Sequence, residues 1–132
     1  MTSHTPDAVV TFPEGLPGFE TCRRFVLVRS TASEPFTVLQ GLDGSMPPAF
    51  VAIDPRLVAQ GYAKTLEALD LARLDGRDGD SFLWLSLVAT QADGRATVNL
   101  RAPIVINPRT MRGIQLVSSD AAWALDHPLL AA

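Results

Sequence analysis

One cysteine, Cys22, is all the chain contains, so no intramolecular disulfide can staple the fold. That suits a reducing compartment. Long apolar runs are missing too: the longest, Phe82–Ala89, is far too short to cross a bilayer. Met1–Asp7 is polar and lacks the basic start and apolar run of an export signal, so a soluble cytoplasmic protein is expected. Charge of one sign is scarce. A net charge of −3 over 132 residues gives the chain as a whole no electrostatic match to a polyphosphate. Repeats, low-complexity tracts and linkers are lacking as well.

What is present is an ordinary globular balance, 47% hydrophobic and 19% charged. A chain of this length buries roughly two-thirds of its unfolded surface, so one core can hold it without metal or disulfide. The expected organisation is a short N-terminal segment, residues 1–9, followed by a single domain over residues 10–130.

The apolar pattern is short and strand-like. Arg24–Ser30, Phe36–Leu39, Phe50–Ile53, Phe82–Ala89, Ala96–Arg101, Ile104–Ile106 and Ile114–Val117 read as strands. Phe82–Ala89 is apolar almost throughout, as a strand covered on both faces would be. Ala96–Arg101 alternates, with Ala96, Val98 and Leu100 on one side. Asp93-Gly94 lies between two runs as a hairpin turn. Ten prolines and nine glycines fall mostly at the ends of these runs, where missing donors and positive φ set corners. Only one segment suggests a helix: Leu66, Leu69 and Leu74 share a stripe, with Thr65 as N-cap and Gly76 beyond the end. These features predict an all-β domain, a small antiparallel barrel-like or sandwich fold with one short helix.

The most specific residues are Thr11–Glu20, Thr-Phe-Pro-Glu-Gly-Leu-Pro-Gly-Phe-Glu. Here Phe12 and Phe19 bracket a bend set by Pro13, Gly15, Pro17 and Gly18, and both rings are placed to dock on the core. Phe25–Leu27, the Ser33–Phe36 turn, Phe50–Pro55, Thr97–Asn107, and Gly113–Val117 with Asp120, Trp123 and His127-Pro128-Leu129 follow in order. Together these segments resemble the flagellar assembly factor FliW family over about residues 10–130. The resemblance implies a protein-binding regulator, not an enzyme, that binds flagellin and alternatively sequesters CsrA, the repressor of flagellin synthesis. It implies no cofactor and no metal, and a monomer is expected. It also implies a strand ahead of the opening motif, for which only Met1–Ala8 is available, so an open sheet edge is expected there. After Asp54-Pro55, where the family carries aromatics, this chain reads Arg56-Leu57-Val58-Ala59-Gln60-Gly61.

Catalytic and ligand chemistry has little to stand on. Cys22 lies beside Arg23 and Arg24, which lower thiol pKa values, but no His or Asn motif pairs with it. Asp126-His127 adjoins Ser118-Ser119 in sequence only, and sequence nearness does not build a triad. Asp75, Asp78 and Asp80 do not have the spacing of a calcium loop and read as a solvated turn. Small barrels also bind nucleic acids or small molecules, and Arg95, Arg101, Arg109 and Arg112 are the candidate basic groove, with Trp123 the only nearby aromatic. Asn99, Pro103 and Asn107 read as structural, the asparagines bonding turn backbone. Trp123 reads equally as core or surface anchor.

The partner surface is expected on the irregular stretch from Asp54-Pro55 through Tyr62, Lys64, Leu66 and Glu67, because loops on a β scaffold vary without breaking the core. Tyr62 would supply contact area, Leu66 an apolar anchor, and Lys64 and Glu67 register. The alternative for Tyr62 and Leu66 is that they cap the barrel.

Overall fold

The computed structural model describes residues 8–116 and 122–129. The described strands are β1 (Val9–Thr11), β2 (Arg24–Val28), β3 (Thr37–Gly41), β4 (Ala49–Ile53), β5 (Leu83–Thr90), β6 (Ala96–Val98), β7 (Ile104–Asn107), β8 (Arg112–Gln115) and β9 (His127–Pro128). One helix, α1 (Ala68–Arg73), lies between β4 and β5. Strands β1 to β5 form an antiparallel meander, β5 pairs on with β7 and β7 with β8. A parallel contact between β8 and β1, Thr11 opposite Arg112, closes the ring. The result is a barrel of seven strands, with β6 and β9 forming a flap on the far half of β5.

The all-β expectation therefore holds as a barrel, not a sandwich, and one of its pairings is parallel. The expectation of an open edge before the opening motif is corrected. Val9–Thr11 is itself a strand, paired to β2 on one side and to β8 on the other, with the Thr11 N–H donating to Met111 O at 2.9 Å. Closure leaves neither side of β1 as an unpaired edge.

Alternation along the strands decides what lies inside. In β3, Thr37, Leu39 and Gly41 are buried and Val38 and Gln40 are not. Val10, Phe12, Phe25, Leu39, Ala52, Leu85, Ile104 and Ile106 fill the barrel. The rings of Phe12 and Phe25 meet edge to face at 5.3 Å. The tip of the Phe12 ring also abuts Gly113, where a Cβ would come within 2.6 Å of it. At that position any side chain would displace the ring or the strand.

Two smaller clusters pack outside the wall. Leu74 of the turn after α1 covers Val105, Ile114 and Leu116. The helix starts later than expected: Asp70 accepts from the Glu67 N–H at 3.0 Å, so Glu67 and not Thr65 is the cap. Leu69, placed in the buried stripe by its spacing, is 69% exposed, because the six helical residues bury no side chain fully and the chain turns inward only at Leu74, after the helix. Arg73 pairs with Glu14 at 2.6 Å and ties α1 to the opening loop.

Ala96–Arg101 does not continue as one strand. β6 stops at Val98 because the Asn99 side-chain oxygen accepts from the Arg101 and Ala102 N–H groups, at 3.1 and 3.0 Å, and turns the chain out before Pro103. Asn107 is fully buried; it donates to Leu74 O and to Asp80, and accepts from the Arg109 N–H. Arg109 in turn makes two bonds to Asp80, at 2.9 and 3.1 Å. This set fastens the acidic turn after α1 to the β7–β8 turn. Val117, Ser118, Ser119, Asp120 and Leu130 lie outside the described residues.

Candidate partner-binding groove

The stretch expected to carry the partner surface begins as β4 ends. Asp54 accepts from the Arg56 N–H at 2.9 Å and so caps a short 3-10 turn, Pro55–Leu57. Proline at the first position suits a turn whose first N–H groups have no internal partner. The Arg56 guanidinium bonds back to Asp54, at 2.7 Å from Nη2, and holds the Asp54 carboxyl below its ordinary range. Buried Pro55 and Ala59 then pin the turn to the barrel wall while Leu57 stands 66% exposed.

Tyr62 requires a correction. It is only 8% exposed, its hydroxyl donates to Leu100 O at 2.7 Å, and its ring lies 4.8 Å from that of Trp123. Burial of the phenol pushes its pKa up to about 12. Tyr62 is thus buried in the second cluster outside the wall, with Ile53, Ala59, Val98 and Leu100, and offers little exposed contact area. Leu66 is half-buried on the α1 side with the Leu74 cluster, while Lys64 is half-exposed and Glu67 exposed. The structure does not gather Asp54, Pro55, Tyr62, Lys64, Leu66 and Glu67 into one surface.

What it gathers instead is an apolar groove of about 820 Å³ beside the 3-10 turn. Phe36 and Ile53 form its floor, Leu57 and Val58 one wall, and Ala96 with Leu129 the other. The floor continues onto the open face of the sheet. Val28, Val38, Val51 and Val88 are successive cross-strand partners, so all four share the outer face. Phe36 lies two residues before Val38 and Ile53 two after Val51, which puts the valine row and the groove on one side. Val51 is 42% exposed.

The far wall is also chemically particular. Leu129 donates its N–H to Ala96 O at 3.0 Å, and Val98 is opposite His127. Pro128, between them, takes the position whose N–H would face outward. Proline has none, so an added strand would find no donor there. The arginines at the two walls are each engaged locally, Arg56 with Asp54 and Arg95 with Asp93.

In the opening motif, Phe12 is fully buried, Gly15 and Gly18 have positive φ, Pro13 is half-buried and Pro17 exposed. Phe19 docks edge to face on Phe50 at 5.1 Å yet stays 44% exposed. Cys22 is buried in the barrel core, its thiol directed at Arg24 O. His127 sits in β9. Arg109 is spent on Asp80 and Arg101 donates to Trp123 O, so those two guanidiniums are drawn into internal bonds. Among the described residues no group of three His, Cys, Asp or Glu could hold a metal ion. No helix among them is long and apolar enough to cross a membrane.

Phe36 and Ala96 read in the sequence as strand residues and Leu129 as part of a terminal motif, none of them as part of a binding surface. They are far apart in the chain and sit at or near strand ends, where an apolar residue signals core as readily as surface.

Fold and groove define a class of protein: a small closed β-barrel that displays an apolar groove on its outer wall. The profile of the FliW protein family matches residues 2–129, and the chain belongs to that family. It is 35% identical over 125 residues to the flagellar assembly factor FliW of Natranaerobius thermophilus, covering 93% of this chain and 82% of that protein. It is likewise 35% identical over 121 residues to the flagellar assembly factor FliW of Geobacter sulfurreducens, covering 91% and 75%. A crystal structure of the flagellar assembly factor FliW matches with a TM-score of 0.84 at 29% identity, over 96% of this chain and 89% of that one.

Proposed function

We propose that this flagellar assembly factor works in the cytoplasm by binding proteins, flagellin and alternatively CsrA, through the groove between Leu57 and Leu129. Flagellin leaving the cell would free the chain to capture CsrA and lift repression of flagellin synthesis, a chaperone-like and regulatory role that needs no cofactor. The observation that carries the reading is the groove itself: about 820 Å³ of largely apolar lining, open at the surface and continuous with a half-buried valine row in which Val51 is exposed. Apolar concavities of this kind are where partner side chains insert. Pro128 disfavours strand addition at the far wall, so the groove suits a partner helix that presents an apolar stripe.

The test is a titration of the purified chain against flagellin and against CsrA, each alone and then in competition. Leu57→Asp places a charge on an exposed lip and leaves the core intact. It is expected to weaken both complexes roughly tenfold or more, the scale of a hot-spot loss, without moving the thermal midpoint. Wild-type affinity in that variant would place the binding surface elsewhere.

A further inference from the structure

The two walls of the groove come from distant parts of the chain and share no strand ladder. Leu57 and Val58 belong to the segment after β4, whereas Ala96 and Leu129 belong to β6 and the residue after β9. One side chain bridges the segments that carry them. Tyr62 ends the first segment, where its N–H donates to Ala59 O at 3.2 Å. Its hydroxyl reaches Leu100 O at 2.7 Å, in the turn that follows β6. Its ring lies against Trp123, in the segment that leads into β9. That segment is in turn bonded to the same turn: Leu100 N–H donates to Ala124 O, and Arg101 Nε to Trp123 O, both at 3.0 Å. Ile53, Val98 and Leu100 complete the cluster.

We infer that Tyr62 is a positioning residue for the groove: a buried strut that holds the two walls at the spacing a partner requires, while touching no partner itself. The inference rests on the groove being the docking site. The phenol oxygen is what a strut needs and a mere space-filler does not. Phenylalanine would fill the same volume against Trp123 but leave the buried Leu100 carbonyl without this donor, and a buried acceptor in that state draws the chain apart to reach water. The walls would then sample wider spacings, and the partner would have to re-form the groove on binding, which lowers apparent affinity by the fraction of competent molecules.

The experiment compares Tyr62→Phe with Asn107→Ala, which loosens the contact between the turn after α1 and the β7–β8 turn and touches no residue that lines the groove, in the same flagellin and CsrA titrations and in amide hydrogen exchange. Tyr62→Phe is expected to lose about fivefold or more in affinity, the tax on a groove competent only a fraction of the time. It should also speed exchange at the Ala59 and Leu129 amides, which bond to Pro55 O and Ala96 O in the two walls. Asn107→Ala is expected to lose stability yet keep both wild-type affinity and wild-type exchange at those amides. Equal affinity losses in the two variants would reduce Tyr62 to a stability residue and overturn the inference. So would unchanged exchange at Ala59 and Leu129 in Tyr62→Phe. Should Tyr62→Phe fail to fold, Trp123→Leu removes the strut's aromatic footing instead, with the same expectations. If the wild-type chain binds neither protein, the proposed function fails, and the exchange data alone decide whether Tyr62 sets the wall spacing.

Discussion

At the scale of single residues, Tyr62 shows how one placement changes a prediction. Read as exposed, its removal would leave the thermal midpoint nearly unchanged; buried against Trp123 and bonded to Leu100 O, its truncation opens a cavity. Tyr62→Ala is expected to destabilise by about 3–5 kcal/mol, the range for removing a large buried aromatic, measured by denaturant unfolding. The ionisation of Tyr62 gives an independent check. Its folded pKa lies near 12, above the ordinary 10, so folding favours the neutral phenol. That stability is full below about pH 10 and is lost as pH rises through about 12. Tyr62 is the only tyrosine, so an ultraviolet titration of the folded chain reads it without overlap. A midpoint at the ordinary value would mean the phenol is open to water.

At the scale of elements, the contact between α1 and the barrel rests on polar chemistry as much as on Leu74. Asn107 is fully enclosed and three of its bonds reach Leu74 O, Asp80 and the Arg109 N–H. Asn107→Ala leaves Leu74 O with the Thr110 hydroxyl at 2.8 Å but removes the donor to Asp80 and the acceptor for the Arg109 N–H, and is expected to cost roughly 2 kcal/mol, seen in the unfolding midpoint. The Arg109 guanidinium, followed by the Arg77 N–H, holds the Asp80 carboxyl far below the ordinary carboxylate range. A depressed folded pKa contributes stability that is present above the unfolded value near 4 and is lost as pH falls below it. Acid unfolding of Asp80→Asn is therefore expected to show a shallower pH dependence than wild type; identical slopes would remove Asp80 from the acid response. By contrast, Leu69→Ser, on the exposed face of α1, is expected to stay within about 0.5 kcal/mol of wild type.

At the scale of the whole molecule, closure depends on two short strands. β1 and β8 meet in one parallel pairing, and Phe12, next after β1, reaches across to abut Gly113 of β8. Gly113→Ala places a methyl 2.6 Å from that ring, so either the ring or the strand must move. The expected cost is about 1–3 kcal/mol, as for other overpacked cores, with exchange rising first at the Thr11 amide that bonds Met111 O. A neutral effect would show that the seam relaxes freely and that closure rests elsewhere.

The sequence by itself determined the place of seven of the nine described strands, missing β1 and β9, together with the hairpin turn at Asp93-Gly94, the all-β class and, through its motifs, the family. Those signals are local: apolar period, turn residues and the order of short patterns are read within a few positions. The helix was legible in place but not in phase, because one short helix has too few turns for spacing alone to decide between Leu69 and Leu74. Asn99 was legible as a turn residue, yet that it ends β6 follows only from the Arg101 and Ala102 N–H groups it captures. The tertiary structure alone decided barrel over sandwich, since closure is a pairing of Thr11, the last residue of β1, with Arg112, 101 positions away. It also decided the groove, because Phe36, Leu57 and Leu129 become neighbours only when β3, β4, β5, β6 and β9 lie side by side. And it turned Tyr62 inward: an aromatic in a stretch without period carries no sign of which way it faces until the Leu100 carbonyl and the Trp123 ring are there to receive it.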